Sequence, residues 1–284
     1  MTTDGSRPGA SGEVWGSQTV ASGWQSGAAA RGQSLGPATE LMLDLAGIVA
    51  GSHVLDLGAG TGDQTLMAAE RAGSDGMVLA TDISATMLDL AQEAVRAAGL
   101  SNVHVQTRVM DAQQLDLESG SFDAVIARLS LQFVPDPELA LSEARRVLKP
   151  GGRIAAMTWS VTEHNPYRAD PQAIACRLAG RPFPEPGPGQ WALRDAAALA
   201  AAFRQAGFRE VDVQPVPVIW RFPSLEDALR NLEEAQPQII RLLGELNETA
   251  RAVARAEIRQ VIEPFSGPDG FEAPGEALIA AGTA

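Results

Sequence analysis

Cysteine is almost missing from this chain. There is one, Cys176, in 284 residues, beside one tyrosine and three histidines. A lone thiol excludes an internal disulfide framework and offers no thiolate metal cluster; it reads as a small buried apolar residue. His53, His104 and His164 are too scattered for metal-ligand spacing, so no metal site is expected. Positive charge is scarce too, with 22 Lys and Arg against 35 Asp and Glu and a net charge of -13. Nucleic-acid affinity rests on clustered Lys and Arg, so no nucleic-acid partner is expected. No apolar run approaches the roughly 18 residues of a membrane span, and no charged-then-apolar leader opens the sequence, which therefore reads as cytoplasmic. What the chain does have is 45% hydrophobic residues, enough over this length for one α/β core carrying extra helices.

The most informative segment is Val54-Leu55-Asp56-Leu57-Gly58-Ala59-Gly60-Thr61-Gly62, a hydrophobic strand with an acid in it that runs into three glycines. Glycines permit positive φ and remove Cβ atoms that would block a ligand, and the helix beyond offers unpaired N–H groups. The turn is read as a cofactor cradle rather than a bare tight turn. A dinucleotide fingerprint needs glycine where Asp63 stands, and a phosphate-binding P-loop needs a lysine that does not follow Gly62. Asp56 in the strand points to a cationic ligand. Next, Met77 to Asp82 reads as a second buried strand ending in an acid that can accept ribose hydroxyls, with Ser84 capping a helix from Ala85 to about Ala98. Val103 to Thr107 reads as a third strand, Ser121 to Leu129 as a fourth and Arg153 to Ser160 as a fifth.

The pattern D-x-G-x-G-x-G at Asp56 to Gly62 resembles motif I of class I S-adenosylmethionine (SAM)-dependent methyltransferases. Asp82, Asp111 in Asp111-Ala112-Gln113-Gln114-Leu115, the strand ending at Arg128, and Leu148-Lys149-Pro150-Gly151-Gly152 follow in that family's order, over roughly residues 40 to 160. The resemblance is nearest to the ubiquinone/menaquinone-biosynthesis-type small-molecule methyltransferases. It implies a doubly wound, Rossmann-like α/β fold with a seven-stranded, mostly parallel sheet and helical lid insertions. It implies SAM as cofactor, leaving S-adenosylhomocysteine as product, and a small-molecule acceptor. The cofactor-binding residues it implies are Asp56, Gly58, Ala59, Gly60, Asp82, Ile83, Met87, Asp111, Ala112 and Arg128. Met87 would stack on adenine or simply fill core, and Asp111 would sit near the adenine amino group.

Around this core, residues 1–13 are Gly/Ser-rich and expected to be disordered, and residues 14–284 to form one domain with lids at 161–190 and 224–262. Trp15 and Trp24 either plug the base of the core or fold over the cofactor, Trp24 walling the site. A helix is expected from about Pro37, in its first turn, to Ala46. Arg209-flanked Glu210 to Arg221 reads as a sixth strand that Pro215 and Pro217 confine to an edge or a bulge, and Ala277 to Ala280 as the last strand.

Methyl transfer from a sulfonium needs positioning above all, and a general base only for an acceptor that must lose a high-pKa proton. His164, after the fifth strand, is the candidate base, against a plain surface role. Arg128 is the candidate for orienting the acceptor, against an ion pair with an acid such as Asp56 or a carbonyl bond. Ile239, Ile240, Leu242 and Leu243 wall the acceptor pocket or form a homodimer contact. The expected function is methylation of a hydrophobic or aromatic metabolite at O, N or C. The alternative is a cyclase that keeps SAM without transferring its methyl.

Overall fold

The computed structural model describes residue 15 and residues 17–99, 104–185 and 187–284. The expected disordered tail, Val103 at the start of the third strand and Pro186 of the proline run lie outside them.

The sheet is built from β1 (His53–Leu57), β2 (Met77–Asp82), β3 (His104–Val109), β4 (Phe122–Arg128), β5 (Leu148–Trp159), β6 (Arg209–Phe222), the two-residue β7 (Ser266–Gly267) and β8 (Gly270–Thr283). Its order is β3-β2-β1-β4-β5-β8-β6, with β7 a hairpin partner of β8. The first five strands pair in parallel, and β8 enters antiparallel between β5 and β6. The expected seven-stranded, mostly parallel sheet is therefore present. β6 is the edge strand that its prolines demand, since neither Pro215 nor Pro217 can donate to a ladder.

Ten helices surround the sheet among the described residues: α1 (Gln18–Ser26), α2 (Ala28–Leu45), α3 (Asp63–Ala72), α4 (Ala85–Ala97), α5 (Pro137–Val147), α6 (Pro166–Leu178), α7 (Ala196–Gln205), α8 (Leu225–Ala235), α9 (Pro237–Glu245) and α10 (Glu248–Ile262). The period of two along each buried strand sorts its side chains into two layers. Val54, Ile126, Ala155 and Met157 face Leu35, Met42 and Leu43 of α2 and Ala68 of α3. Leu55, Val125, Ile154 and Ala156 face Leu141 of α5 and Leu199 and Phe203 of α7. No helix among the described residues is long and apolar enough to cross a membrane.

Two expectations fail here. Pro37 does not open its helix, which starts nine residues earlier at Ala28. The alanines ahead of it are strong helix formers, and Leu35, Ala38, Met42 and Leu43 bury on both sides of the proline, so packing outweighs one missing hydrogen bond. The apolar stretch of α9 lines neither of the two cavities described below, and most of it turns inward. Ile239, Leu242 and Leu243 are buried with Ala175 and Cys176 of α6 and Ala254 of α10. The free thiol is interior, as its apolar neighbours require.

Candidate active site

A cavity of about 210 Å³ opens at the C-terminal ends of β1, β2 and β4. That edge is where doubly wound sheets bind ligands. Gly58, Ala59 and Gly60 form its floor, with φ of +69° at Gly58 and +57° at Gly60. A Cβ on Gly58 would lie 2.4 Å from the Ser130 Cβ, whereas one on Gly60 would meet nothing nearer than the Trp24 indole nitrogen, 3.5 Å away. Gly58 thus lets two strand ends close up, while Gly60 keeps bare backbone toward the cavity. Asp82 also lines it, and its carboxylate accepts from the Gly60 and Ser84 amides at 2.9 Å each. Burial raises the Asp82 pKa despite these amide bonds. Ser84 caps α4 by accepting from the Met87 amide. Ile83, Met87, Asp111, Ala112, Arg128 and Trp24 all line the same cavity.

The N-terminal tryptophans lie over this cavity, not at the base of the core. Trp15 meets Trp24 edge-on at 5.6 Å and Phe133 at 5.1 Å, and all three rings line the cavity. Their anchor is Arg31. Its guanidinium lies 4.0 Å over the Trp24 ring, donates to the Trp24 carbonyl, and pairs with Asp63 at 3.0 Å. Burial lowers the Arg31 pKa to about 10. The neighbouring α8 explains how α1 can sit so low: a Cβ on Gly23 would fall 1.8 Å from the Glu234 carbonyl oxygen. The helices of 224–262 therefore support the tryptophan lid from behind, and none of their residues lines this cavity.

Arg128 has the acidic partner expected of it, although that acid is Asp63 and not Asp56. It pairs with Asp63 at 3.0 Å and donates to the Thr39 hydroxyl. Asp63 is thus shared by two buried arginines, and their fields hold its carboxyl below the usual range against the opposing effect of burial. Asp56 does not line the cavity. Its side chain is fully buried and accepts from Thr65 at 2.6 Å and Gln64 at 3.1 Å, tying β1 to the first turn of α3. Burial pushes its pKa up to about 6. A side chain in the middle of a strand with a helix packed over it points into that helix, so Asp56 shapes the turn from beneath. His164 lies outside the cavity as well, exposed on the turn after β5 with Nδ1 2.7 Å from Glu276. No histidine, cysteine or lysine lines the cavity among the described residues.

Sequence reasoning missed Phe133, Gln64 and the pairing of Arg31 with Asp63. The one available signal was Asp63, an acid where a phosphate-binding turn would keep a glycine.

A second groove shares Leu131, Val134 and Pro135 with the first and is completed by Pro184, Glu185, Pro188 and Trp191. Pro184 and Pro188 of the 161–190 segment therefore wall this groove.

A family model described as a methyltransferase domain matches residues 55–156, the span from β1 through β5. The ubiquinone/menaquinone biosynthesis C-methyltransferase UbiE of Pseudoalteromonas translucida is 36% identical over 118 residues, 42% of this chain and 47% of that protein. The chain thus spans about half the length of the first curated relatives it matches. The demethylmenaquinone methyltransferase of Lactiplantibacillus plantarum is 34% identical over 177 residues, 59% of this chain and 74% of that protein. Among solved structures, YcgJ of Bacillus subtilis is 21% identical with a TM-score of 0.56, covering 87% of this chain and 98% of that one. The cyclase SpnF is 23% identical with a TM-score of 0.53, covering 87% and 80%; these two likenesses concern the fold. The matched core, the glycine turn and the acids that follow it at the ends of β2 and β3 place this chain in the family of SAM-dependent methyltransferases of the ubiquinone/menaquinone-biosynthesis type.

Proposed function

We propose that this chain transfers a methyl group from SAM to a small hydrophobic or aromatic acceptor. The observation that carries the reading is the cavity at the ends of β1, β2 and β4, where bare Gly60 backbone and the half-buried Asp82 carboxylate face the same space beneath a tryptophan lid. The residues fit the donor: Gly60 leaves open the room that a Cβ atom would fill, and Asp82 offers a carboxylate to a pair of hydroxyls. Ile83 and Met87 supply an apolar face for adenine, with Asp111 and Ala112 beside it. When bound, SAM supplies a methyl group already activated by the sulfonium charge.

The chain's own residues then have three tasks. Gly58 to Gly60 and Asp82 fix the donor's position. Trp15, Trp24 and Phe133 exclude water, which strengthens every electrostatic contact inside. Leu129 and Leu131 present the acceptor from the β4 side. Holding two reactants at about 3–3.5 Å supplies on the order of 7–11 kcal/mol of barrier reduction. No histidine, cysteine or lysine lines the cavity among the described residues and the His164–Glu276 pair lies outside it, so a proton lost from the acceptor leaves to water or to a lining carboxylate. The C-methyltransferase names of the relatives favour carbon as the methylated atom.

Calorimetry with S-adenosylhomocysteine tests the donor site. The native chain should bind it, and Asp82→Ala should lower affinity by about tenfold or more while leaving the unfolding temperature within a few degrees, since two hydrogen bonds to a charged group are lost. Unchanged affinity would end the assignment.

A further inference from the structure

The 3₁₀ turn after β4, Leu131–Phe133, divides its side chains between two spaces. At about three residues per turn, successive side chains point in different directions. Phe133 lines the donor cavity, Gln132 lines the second groove, and Leu131 lines both. The groove holds about 400 Å³, room for a small molecule. Its far wall is stitched to the sheet: the Gly189 amide donates to the Gln132 carbonyl at 2.8 Å, and the Thr158 hydroxyl to the Leu193 carbonyl at 3.1 Å. A molecule seated there lies against the same turn that borders the donor cavity.

Two groups on its walls keep unused donors. Gln132 is 1% exposed, and its Oε1 accepts from the Trp159 amide at 3.4 Å, which leaves the NH₂ end free. That Nε2 has no partner among the described residues. It is also not among the side-chain atoms sealed away without one, which belong to Ser34, Arg168 and Trp220, so it has open space beside it. Arg194 is half-buried, gives Nη1 to the Trp191 carbonyl at 2.9 Å, and has no carboxylate at ion-pair distance among the described residues. Glu163 feels its charge without pairing with it. Glu185, the acid that lines the groove, is taken by Arg241 of α9. Asp136 and Asp195 line no part of it and cap α5 and α7 by accepting from the Leu139 and Ala198 amides. The groove therefore offers a cation and a nearly buried donor, and an unmet donor is costly until an oxygen meets it.

We propose that the second groove seats an aromatic methyl acceptor, with Gln132 donating to its ionised ring oxygen and Arg194 favouring the anion. The acceptor's hydroxyl proton leaves to water and the electron pair stays on oxygen. That oxygen, or the ring carbon beside it, then takes the methyl as the bond to sulfur breaks with its pair on sulfur; after attack through carbon, the ring proton also leaves to water. The charge of Arg194 thus supplies what a protein base would otherwise provide.

The inference rests on the methyltransferase reading, but its test needs no turnover. The probe is 4-nitrophenol, whose absorbance reports its own ionisation, titrated into the whole chain with saturating S-adenosylhomocysteine filling the donor cavity. Bound probe should ionise about tenfold more readily than free probe, its midpoint about one pH unit lower. In Arg194→Met the bound midpoint should return to the free value, with S-adenosylhomocysteine affinity kept. Gln132→Leu should weaken binding of the phenolate about tenfold and leave that of 4-nitroanisole, which has no proton to lose, unchanged. No binding of 4-nitrophenol to the native chain, a bound midpoint at or above the free one, or a lowered midpoint that survives in Arg194→Met overturns the proposal. Failure of S-adenosylhomocysteine to bind would instead strike the donor reading, and the comparison of the native chain with Arg194→Met in its absence would still decide the groove.

Discussion

Replacing Asp63 with asparagine should be among the most damaging isosteric changes available to this protein. Its carboxylate is 15% exposed and is the common partner of Arg31 and Arg128, whose side chains are 5% and 3% exposed, each at 3.0 Å. Removing it leaves two desolvated guanidinium groups facing one neutral amide, and such a loss costs about 3–5 kcal/mol. A solvent-exposed pair would cost about 0–1 kcal/mol. Asp63 is also the first residue of α3, where a negative charge contributes roughly a further 0.3–1 kcal/mol. Denaturant unfolding at neutral pH should show the loss. The pH dependence has a defined sign: the Asp63 pKa is lowered in the folded state, so its contribution is complete above the unfolded value of 3.8 and fades as pH falls through the folded value. The native chain should therefore lose its advantage over Asp63→Asn in strong acid. A cycle with Arg31→Met should give a coupling of about 0.5–3 kcal/mol, because the arginine is costly only while its partner is absent. Since Arg31 also holds Trp24, S-adenosylhomocysteine affinity should fall with stability. A loss below about 1 kcal/mol with no coupling would refute the shared-carboxylate account.

Three other outcomes follow from the same geometry. Gly23→Ala should push α1 off α8, because its Cβ would lie 1.8 Å from a backbone oxygen; about 1–3 kcal/mol of stability and part of the S-adenosylhomocysteine affinity should go, and equal affinity would mean that the lid is not seated there. Asp56→Asn should become favourable relative to the native chain as pH rises: the folded pKa of about 6 lies above 3.8, so the native burden is absent below the lower value and complete above the upper, a change of about 3 kcal/mol that parallel titration-unfolding curves would disprove. Leu242→Ala should cost about 2–5 kcal/mol as a core truncation, with ligand affinities and sedimentation unchanged; a change of oligomeric state at full stability would restore the subunit-contact reading of α9.

The sequence by itself determined the strands and the turn between them, because those are local matters. Alternating apolar runs bounded by glycine specify β1, β2, β4 and β5 wherever they end up, and the positive φ of Gly58 and Gly60 is a property those residues allow before any tertiary contact forms. Pro215 and Pro217 likewise announced an edge strand, since a missing N–H is a fact of covalent structure. Partnerships across the chain could not be read this way. Whether Trp24 plugs a core or covers a cavity depends on a glycine contact with a helix some two hundred residues later, and Arg128 finds Asp63 rather than Asp56 because Asp56 is already turned under α3. His164 stands five residues beyond a well-placed strand end and still faces solvent, since a 3₁₀ turn carries it to Glu276. Side-chain direction at a loop, and the choice among several acids for one buried cation, are set by packing at long range, where only the assembled tertiary structure decides which charge is left alone.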